Sequence, residues 1–310
     1  MASTAADDTA LSSSTDLSSS KTAAFRRKDA LGQNHQQSIL SILRMACADT
    51  MKQPEFSEKL REIKRRFYDR DFDGIFLDPG SLPVYTAQYV PRRALCYYEI
   101  FSTSELQSLL MERPQIYCLG AGSGSELVGI SAASCIAYDS NREGDSESRP
   151  IVVHSQDYTN WEPILDSLSS AIRYKWKLTA QQIEYKFSID NLLEMSPDIE
   201  RYISSASLVT AMFVFNELFA DKTNAMRFVK TMTKCLRPGS HFLLVDSAGS
   251  FSSVKVGKSN YMSYMFFDSL GQFFEPVLSD NSRWFRHEPG LEYPLSIENM
   301  RYFIRLYRRK

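Results

Sequence analysis

Apolar side chains are distributed along the chain in three distinct patterns. Residues 1–24 are mostly Ser, Thr, Ala and Asp with almost no large apolar side chain. Such a stretch cannot offset the entropy of ordering, and a disordered tail is predicted there. Between residues 25 and about 70 the apolar positions recur with a helical period. Ile39, Leu40, Ile42, Leu43 and Met45 form one face; Phe56, Leu60, Ile63 and Phe67, at i, i+4, i+7 and i+11, form another. After a loop with Asp78, Pro79, Gly80 and Pro83, the segment YVPRRALCYYEIF predicts a helix over 89–101 with Pro91 in its first turn. From Pro114 onward, short apolar runs alternate with longer amphipathic ones. Strands are expected at 116–119, 151–155, 183–188, 208–215 and 241–245, with helices such as 161–175 and 224–235 between them. This alternation predicts an α/β fold, a mostly parallel sheet flanked by helices. The expected organisation is a tail over 1–24, a helical, basic extension over 25–112 and an α/β domain over 113–310.

The first strand runs into YCLGAGSGSEL, where Gly120, Gly122 and Gly124 alternate in a chain with only 13 glycines. Glycine accepts positive φ and lets another group approach the backbone, so strand, glycine turn and helix together suggest a ligand loop under a helix N-terminus. The dinucleotide fingerprint GxGxxG would require its third glycine where Ser125 stands. The spacing present, GxGxG, is that of S-adenosylmethionine sites. An acidic residue at the end of the second strand would then take the ribose hydroxyls. Asp139 has the usual spacing of about 20 residues, but it falls within the helix that follows the glycines. Asp157 directly follows the apolar IVVHSQ run, and the polar insert 140–150 accounts for its greater distance. Asp157 is therefore the preferred ribose ligand, and Asp190, after the third strand, could reach the adenine amino group. Asn216 and Glu217 end the fourth apolar run, at the strand edge where open α/β sheets bind ligands. A helix cap is the alternative reading of that pair.

Composition limits the choice of partners. Hydrophobic residues make up 43% and aromatic residues 12%, enough for a core, and the formal net charge of -1 excludes polyanion binding by bulk charge. Basic residues do cluster locally: Arg26, Arg27 and Lys28, then Lys59, Arg61, Lys64, Arg65, Arg66 and Arg70. They read either as a solvated helix face or as a contact surface for an RNA backbone. The five cysteines are widely spaced with no CxxC pair, which suits a reducing, intracellular compartment, and the four scattered histidines suggest no metal. No apolar run reaches the ~18 residues of a membrane span. The N-terminus has no secretory core, and Asp7, Asp8 and Asp16 argue against a mitochondrial presequence. The expectation is a protein of the nucleus (nucleolus), the cytoplasm or both, with no membrane and no metal partner and an open oligomeric state.

LGAGSGSEL, DYTNW, FVFNELF, LLVDSAGSFSSV, SRWFR and ENMRYFIRLYRR follow one another in the chain. Together they resemble the fungal 25S ribosomal RNA (uridine-N3) methyltransferase family, a branch of the class I S-adenosylmethionine-dependent enzymes. The likeness runs from about residue 89 to residue 309. It implies a Rossmann-like, seven-stranded, mostly parallel sheet, S-adenosyl-L-methionine as cofactor, and ribosomal RNA or a pre-ribosomal particle as partner. N3 of uridine carries a proton, so the reaction needs a base. Glu217, its pKa raised by desolvation in a crevice, is the candidate, although it could instead hold the amino-acid end of the cofactor. Asn216 would read the uracil carbonyls. In SRWFR, Arg283 and Arg286 would hold phosphates and Trp284 or Phe285 would stack on a displaced base; the alternative is a core tryptophan between two surface arginines. Rival functions are methylation of a small molecule or protein, nicotinamide redox chemistry, and a non-catalytic cofactor-binding ribosome-assembly factor.

Overall fold

A computed structural model of the chain describes residues 30–140, 149–249, 253–256 and 259–310. The predicted tail 1–24, the basic trio Arg26, Arg27 and Lys28, and most of the polar insert lie outside the described residues.

The helical period of the N-terminal region folds as α1 (His35–Ala46), α2 (Ala48–Met51) and α3 (Phe56–Asp69). Asn34 caps α1 by accepting from the Gln37 N–H at 2.7 Å, and the helix buries Ile39, Leu40, Ile42 and Leu43 while Met45 stays exposed. α3 buries Phe56 and Ile63 and ends at Arg70 in a left-handed conformation, φ 56°. A short α4 (Phe72–Phe76) follows, its Gly74 N–H donating to Asp71 Oδ1 at 3.0 Å.

The next helix corrects the expectation for 89–101. α5 (Leu82–Phe101) starts seven residues earlier, with Pro83 in the first turn and Pro91 inside the helix. A proline ring removes one N–H and leaves the carbonyl four residues back without its helical donor. That carbonyl, of Ala87, accepts from the Tyr293 hydroxyl at 2.9 Å, so the helix passes through Pro91 with the polar group satisfied.

After α6 (Ser104–Met111) the α/β alternation begins. It runs β1 (Gln115–Leu119), α7 (Ser125–Ser140), β2 (Ile151–Asp157), α8 (Glu162–Trp176), β3 (Ile183–Ile189), α9 (Pro197–Ser205), β4 (Leu208–Met212), α10 (Phe215–Leu218), α11 (Lys222–Cys235) and β5 (His241–Ser247). The chain then forms the hairpin β6 (Ser253–Val256) and β7 (Ser259–Met262), α12 (Ser263–Asp268), and the long strands β8 (Phe274–Phe285) and β9 (Met300–Arg309). Among the described residues one sheet has seven strands in the order β3-β2-β1-β4-β5-β9-β8. β1 to β5 are parallel; β9 runs antiparallel to β5 and β8 antiparallel to β9. The order reverses between β1 and β4, the switch point where such sheets bind ligands.

Two further expectations are corrected. The fourth strand stops at Met212, not at residue 215, because Phe213 takes φ 60° and the chain turns directly into α10. β8 was not predicted, since its mostly exposed positions carry little apolar periodicity, and it contains most of SRWFR.

Alternate strand residues feed two cores. Ile116, Cys118, Leu243 and Val245 face α1, α5, α7 and α8, while Tyr117, Leu119, Phe242 and Leu244 face α9, α11 and α12. The N-terminal helices thus share a core with the sheet. The Trp176 indole N–H, buried on α8, donates to Ser38 Oγ of α1 at 3.0 Å. α5 crosses α7 at Gly129, where an added Cβ would meet Tyr97 Cβ at 2.8 Å and the Tyr98 amide nitrogen at 3.0 Å. No helix among the described residues is long and apolar enough to cross a membrane.

Gly129→Val therefore overpacks the α5–α7 crossing. The expected cost is about 1–3 kcal/mol, read as a lower denaturation midpoint at unchanged m-value.

Candidate active site

The glycine turn is set by contact with the reversal after β4. Gly120 and Gly122 both have φ +55°. A Cβ on Gly120 would lie 2.4 Å from Val214 Cγ2, so only glycine lets these two turns meet. Gly122 faces open space: nothing lies within 4 Å of where its Cβ would be. Gly124 packs against Leu165 and Leu168 of α8.

Two adjoining chambers open at this switch point. The larger, about 440 Å³, is lined by Gly120, Asp157, Tyr158, Asp190, Leu192 and Glu217, and closed on one side by residues 70–73. The smaller lies under the glycine turn, lined by Tyr85, Arg93, Tyr97, Gly122, Glu126 and Phe213; Asp157, Tyr158 and Glu217 border both.

Asp157 ends β2 as predicted, and position 139 lies inside α7. Asp157 Oδ2 accepts from the Gly122 N–H at 2.9 Å and Oδ1 from the Thr159 N–H at 3.0 Å. Burial raises its pKa against the pull of these N–H groups. The Tyr158 N–H and the Trp161 indole also act on this carboxylate, and together with the two bonds they fix it at the chamber wall. Asp190 also lines the chamber, but its Oδ1 accepts from the Asn191 N–H at 2.8 Å and its Oδ2 from the Ser196 hydroxyl.

The smaller chamber carries opposed charges. Arg93 reaches in from α5, donating to the Tyr85 hydroxyl at 2.6 Å with its guanidinium 5.9 Å from the Tyr85 and Phe213 ring centres. Among the described residues no carboxylate lies within ion-pair distance of it. Glu126, in the first turn of α7, is 2% exposed and accepts from Thr210 Oγ1 at 2.7 Å. Burial pushes its pKa up to about 8, against Thr210 and Arg93. Glu217, on α10, is pushed up to about 7 by burial, with Arg93 opposing and Asp157 and Asp246 adding to the rise.

The other predicted residues lie apart. Asn216 donates to Asp246 Oδ1 at 3.0 Å and is not among the residues lining either chamber. Arg283 pairs with Tyr302 across β8–β9 and Tyr302 with Ser247 across β9–β5, which places SRWFR at the same end of the sheet as the chambers, two strands beyond β5. Arg283 Nε donates to Asp280 at 3.3 Å, Phe285 is fully buried, and Trp284 is 52% exposed with the Arg286 guanidinium 5.8 Å from its ring centre.

Arg93, Tyr85, Glu126 and Tyr158 were not singled out from the sequence. For Arg93 a signal was present: Thr86, Val90, Arg93 and Tyr97 recur at i, i+4, i+7 and i+11, and the other three are buried. A cation on an otherwise buried helical stripe marks a site. Glu126 directly follows the glycine turn, where a helix N-terminus favours an anion.

S-adenosylmethionine joins a nucleoside to a zwitterionic amino acid through a sulfonium, and the residues present fit it. Asp157 and Tyr158 offer a carboxylate and a ring to the nucleoside. Arg93 suits the α-carboxylate, Glu126 and Glu217 suit the cationic groups, and the space beside Gly122 is one a side chain would fill. A nicotinamide dinucleotide has no amino-acid end, so the charged chamber separates two cofactors that a glycine turn alone leaves open. The class is that of S-adenosylmethionine-dependent methyltransferases. The family described as "Putative SAM-dependent methyltransferase" matches residues 43–308, and the chain belongs to it. The chain is similar to the 25S rRNA (uridine(2843)-N(3))-methyltransferase of Saccharomyces cerevisiae (strain ATCC 204508 / S288c), with 26% identity over 292 residues covering 84% of this chain and 79% of that protein. Similar solved structures include an O-methyltransferase family protein from Burkholderia thailandensis (12% identity, 89% of this chain and 71% of that one, TM-score 0.44). Another is the N-methyltransferase NodS from Bradyrhizobium japonicum in complex with S-adenosyl-L-homocysteine (11% identity, 77% and 97%, TM-score 0.41). Among the described residues no group of three or more His, Cys, Asp or Glu side chains is placed to hold a metal ion.

Titration calorimetry checks the assignment. Gly122→Val is expected to abolish S-adenosylmethionine binding while costing only the ~1–2 kcal/mol of a left-handed β-branched residue. Asp157→Ala should weaken binding by about 1.5–3 kcal/mol, with no effect from Asp139→Ala. Arg93→Met should weaken S-adenosylmethionine by a similar amount and leave methylthioadenosine, which has no amino-acid end, unchanged.

Proposed function

We propose that the chain methylates N3 of a uridine in large-subunit (25S) ribosomal RNA, with Glu217 as the base. The observation that carries this reading is the placement of the Glu217 carboxylate at the border of both chambers, where burial pushes its pKa up to about 7. The similarity to a yeast uridine-N3 methyltransferase supports the choice of RNA and of base.

The cofactor, when bound, supplies an electrophilic methyl group on a sulfonium. Everything else falls to the protein. Asp157 and Tyr158 would hold the nucleoside, and Arg93 with Glu126 the amino-acid end, which aligns donor and acceptor. The uracil N3–H would give its proton to a Glu217 carboxylate oxygen, freeing the nitrogen lone pair for attack. A base titrating near the working pH combines a populated ionised form with useful proton affinity. Asn216, which donates to Asp246 and lines neither chamber, would hold the α10 turn beside Glu217 rather than read the uracil. N3 lies on the pairing edge, so a paired target must be unstacked first. The exposed Trp284 would take that base, with Arg283 and Arg286 on the phosphates. Such a substrate implies action on ribosomal RNA or a pre-ribosomal particle, in the nucleolus or the cytoplasm.

The direct test is mass spectrometry of ribosomal RNA nucleosides from cells with and without the protein; undiminished 3-methyluridine would refute the proposal. The pH profile tests the base. Only ionised Glu217 accepts the proton, so kcat/KM for the cofactor should fall tenfold per pH unit below about 7 and level off above it. Glu217→Gln should lose about 10²–10⁴-fold together with that acidic limb. A variant that keeps the limb would assign the base to another group.

A further inference from the structure

The two exposed flanks of α3 differ in charge. Phe56, Leu60, Ile63 and Phe67 turn inward. One flank carries Glu58, Glu62 and Asp69, and beside it Arg66 pairs with Glu62 at 2.6 Å and with Asp71 at 3.3 Å. The other flank carries Arg61, Lys64 and Tyr68, at i, i+3 and i+7, and Arg65 stands at the border between the flanks, three residues from Glu62 and four from Asp69 without an ion pair to either. All four are exposed, Tyr68 at 89%. Among the described residues no carboxylate lies within ion-pair distance of the three cations; Arg61 Nε donates only to the Ser57 carbonyl, at 3.3 Å. A merely solvated helix face interleaves its signs, as the acidic flank does with Arg66.

The position of the helix matters as much as its charge. α3 stops at Arg70, and residues 70–73 form a wall of the larger chamber. Tyr68 therefore stands two residues from the rim of the cofactor cleft. From residue 61 to residue 68 the flank spans about 10 Å, long enough to lie along more than one phosphate of a strand.

We propose that this flank of α3 holds the backbone of single-stranded RNA beside the cleft, Arg61, Lys64 and Arg65 on phosphates and Tyr68 stacked on an unpaired base. The inference rests on the ribosomal RNA reading above. It selects three cations from the larger basic cluster and excludes Arg66, whose charge is already answered by Glu62 and Asp71. An aromatic ring among cations matches alternating phosphates and bases, whereas a protein interface would need a larger apolar centre.

The test measures binding of a uridine-containing single-stranded oligoribonucleotide across salt concentrations, together with cofactor affinity and melting. The triple variant Arg61→Ala/Lys64→Ala/Arg65→Ala should shorten the salt slope by about two units, 0.7 for each lost single-strand contact. Arg61→Lys/Arg65→Lys should keep the slope, since charge is retained. Tyr68→Ala should bind about 5- to 150-fold more weakly at unchanged slope. Cofactor affinity and melting should stay at wild-type values in all of them. Lys222→Ala/Lys230→Ala/Lys234→Ala removes equal charge from exposed positions of α11 and should leave the slope intact. A wild-type slope in the α3 triple variant, or loss only in the α11 variant, overturns the proposal. So does displacement of the oligoribonucleotide by polyglutamate as readily as by RNA, which would assign the flank to an acidic protein. If wild-type protein methylates ribosomal RNA and the α3 variant keeps its slope, only this surface fails; if wild-type protein neither binds nor methylates RNA, the ribosomal reading fails with it.

Discussion

Gly120 lies against Val214 so closely that no side chain fits between them, and the site depends on that contact. It brings the turn after β1 onto the turn after β4, the two strands between which the sheet order reverses. With the first turn pressed down, the Gly122 N–H points at Asp157 and fixes the end of β2. With the second turn held, β4 cannot run on to residue 215, and the chain reverses at Phe213 into α10, which carries Glu217 to the chambers. Phe213 pays in backbone strain, since a bulky residue at positive φ is a real outlier, worth about 1–2 kcal/mol. The strain is offset locally. Its N–H donates to the Val245 carbonyl at 2.8 Å, and its ring stacks on Tyr97 under the Arg93 guanidinium.

The same constraint gathers charge where water is scarce. Glu126, Asp157 and Glu217 converge on a chamber with Arg93 as the cation facing them, and burial raises all three carboxyl pKa values. The sign of the linkage follows. A carboxyl whose folded pKa lies above its ordinary 4.5 keeps a proton that the unfolded chain has lost. Its favourable contribution is therefore full below 4.5 and is lost as pH rises through about 7 for Glu217 and about 8 for Glu126. Near neutrality these buried carboxyls work against folding. A ligand with cationic groups beside these carboxylates and a carboxylate beside Arg93 reverses that penalty, so the tension in the free protein becomes affinity and discrimination in the complex.

What was legible in the sequence depended on the range of the interactions involved. Buried parallel strands appear as continuous apolar runs, which marked β1, β2, β4 and β5, while the half-exposed edge strand β3 showed as apolar–polar alternation. The preference for Asp157 over Asp139 followed from the run before it. The start of α5 was misplaced because the partner that lets Pro91 sit inside a helix, Tyr293, lies some 200 residues away in the chain. Arg93 was passed over although its helical stripe was legible: Tyr85 lies eight residues away on the same helix, but Glu126, Phe213 and Glu217 join it only through the fold. β8 escaped because an edge strand exposed over most of its length has no apolar rhythm. In α3 the cations were visible, but which of them Glu62 and Asp71 answer is a fact of geometry.

These distances in sequence also explain why the N-terminal helices belong to the site. The sheet alone supplies the glycine turn, Asp157 and Glu217, which is half of a charged chamber and one side of a cleft. α5 supplies Arg93 and Tyr85, and the chain between α3 and α4 closes the larger chamber. A nucleoside pocket bounded by the sheet ends alone would stay open to water, and its carboxylates would titrate nearer their ordinary range. The helices exclude that water, supply Arg93 to the chamber that the three acids line and present a basic flank outward within two residues of the wall they form inside. On the proposed reading, one segment therefore tunes the base from within and meets the RNA from without. That coupling gives α3 and α4 a reason to pack into the core of the sheet, since a flexible basic arm could attract RNA but could not shape the pocket.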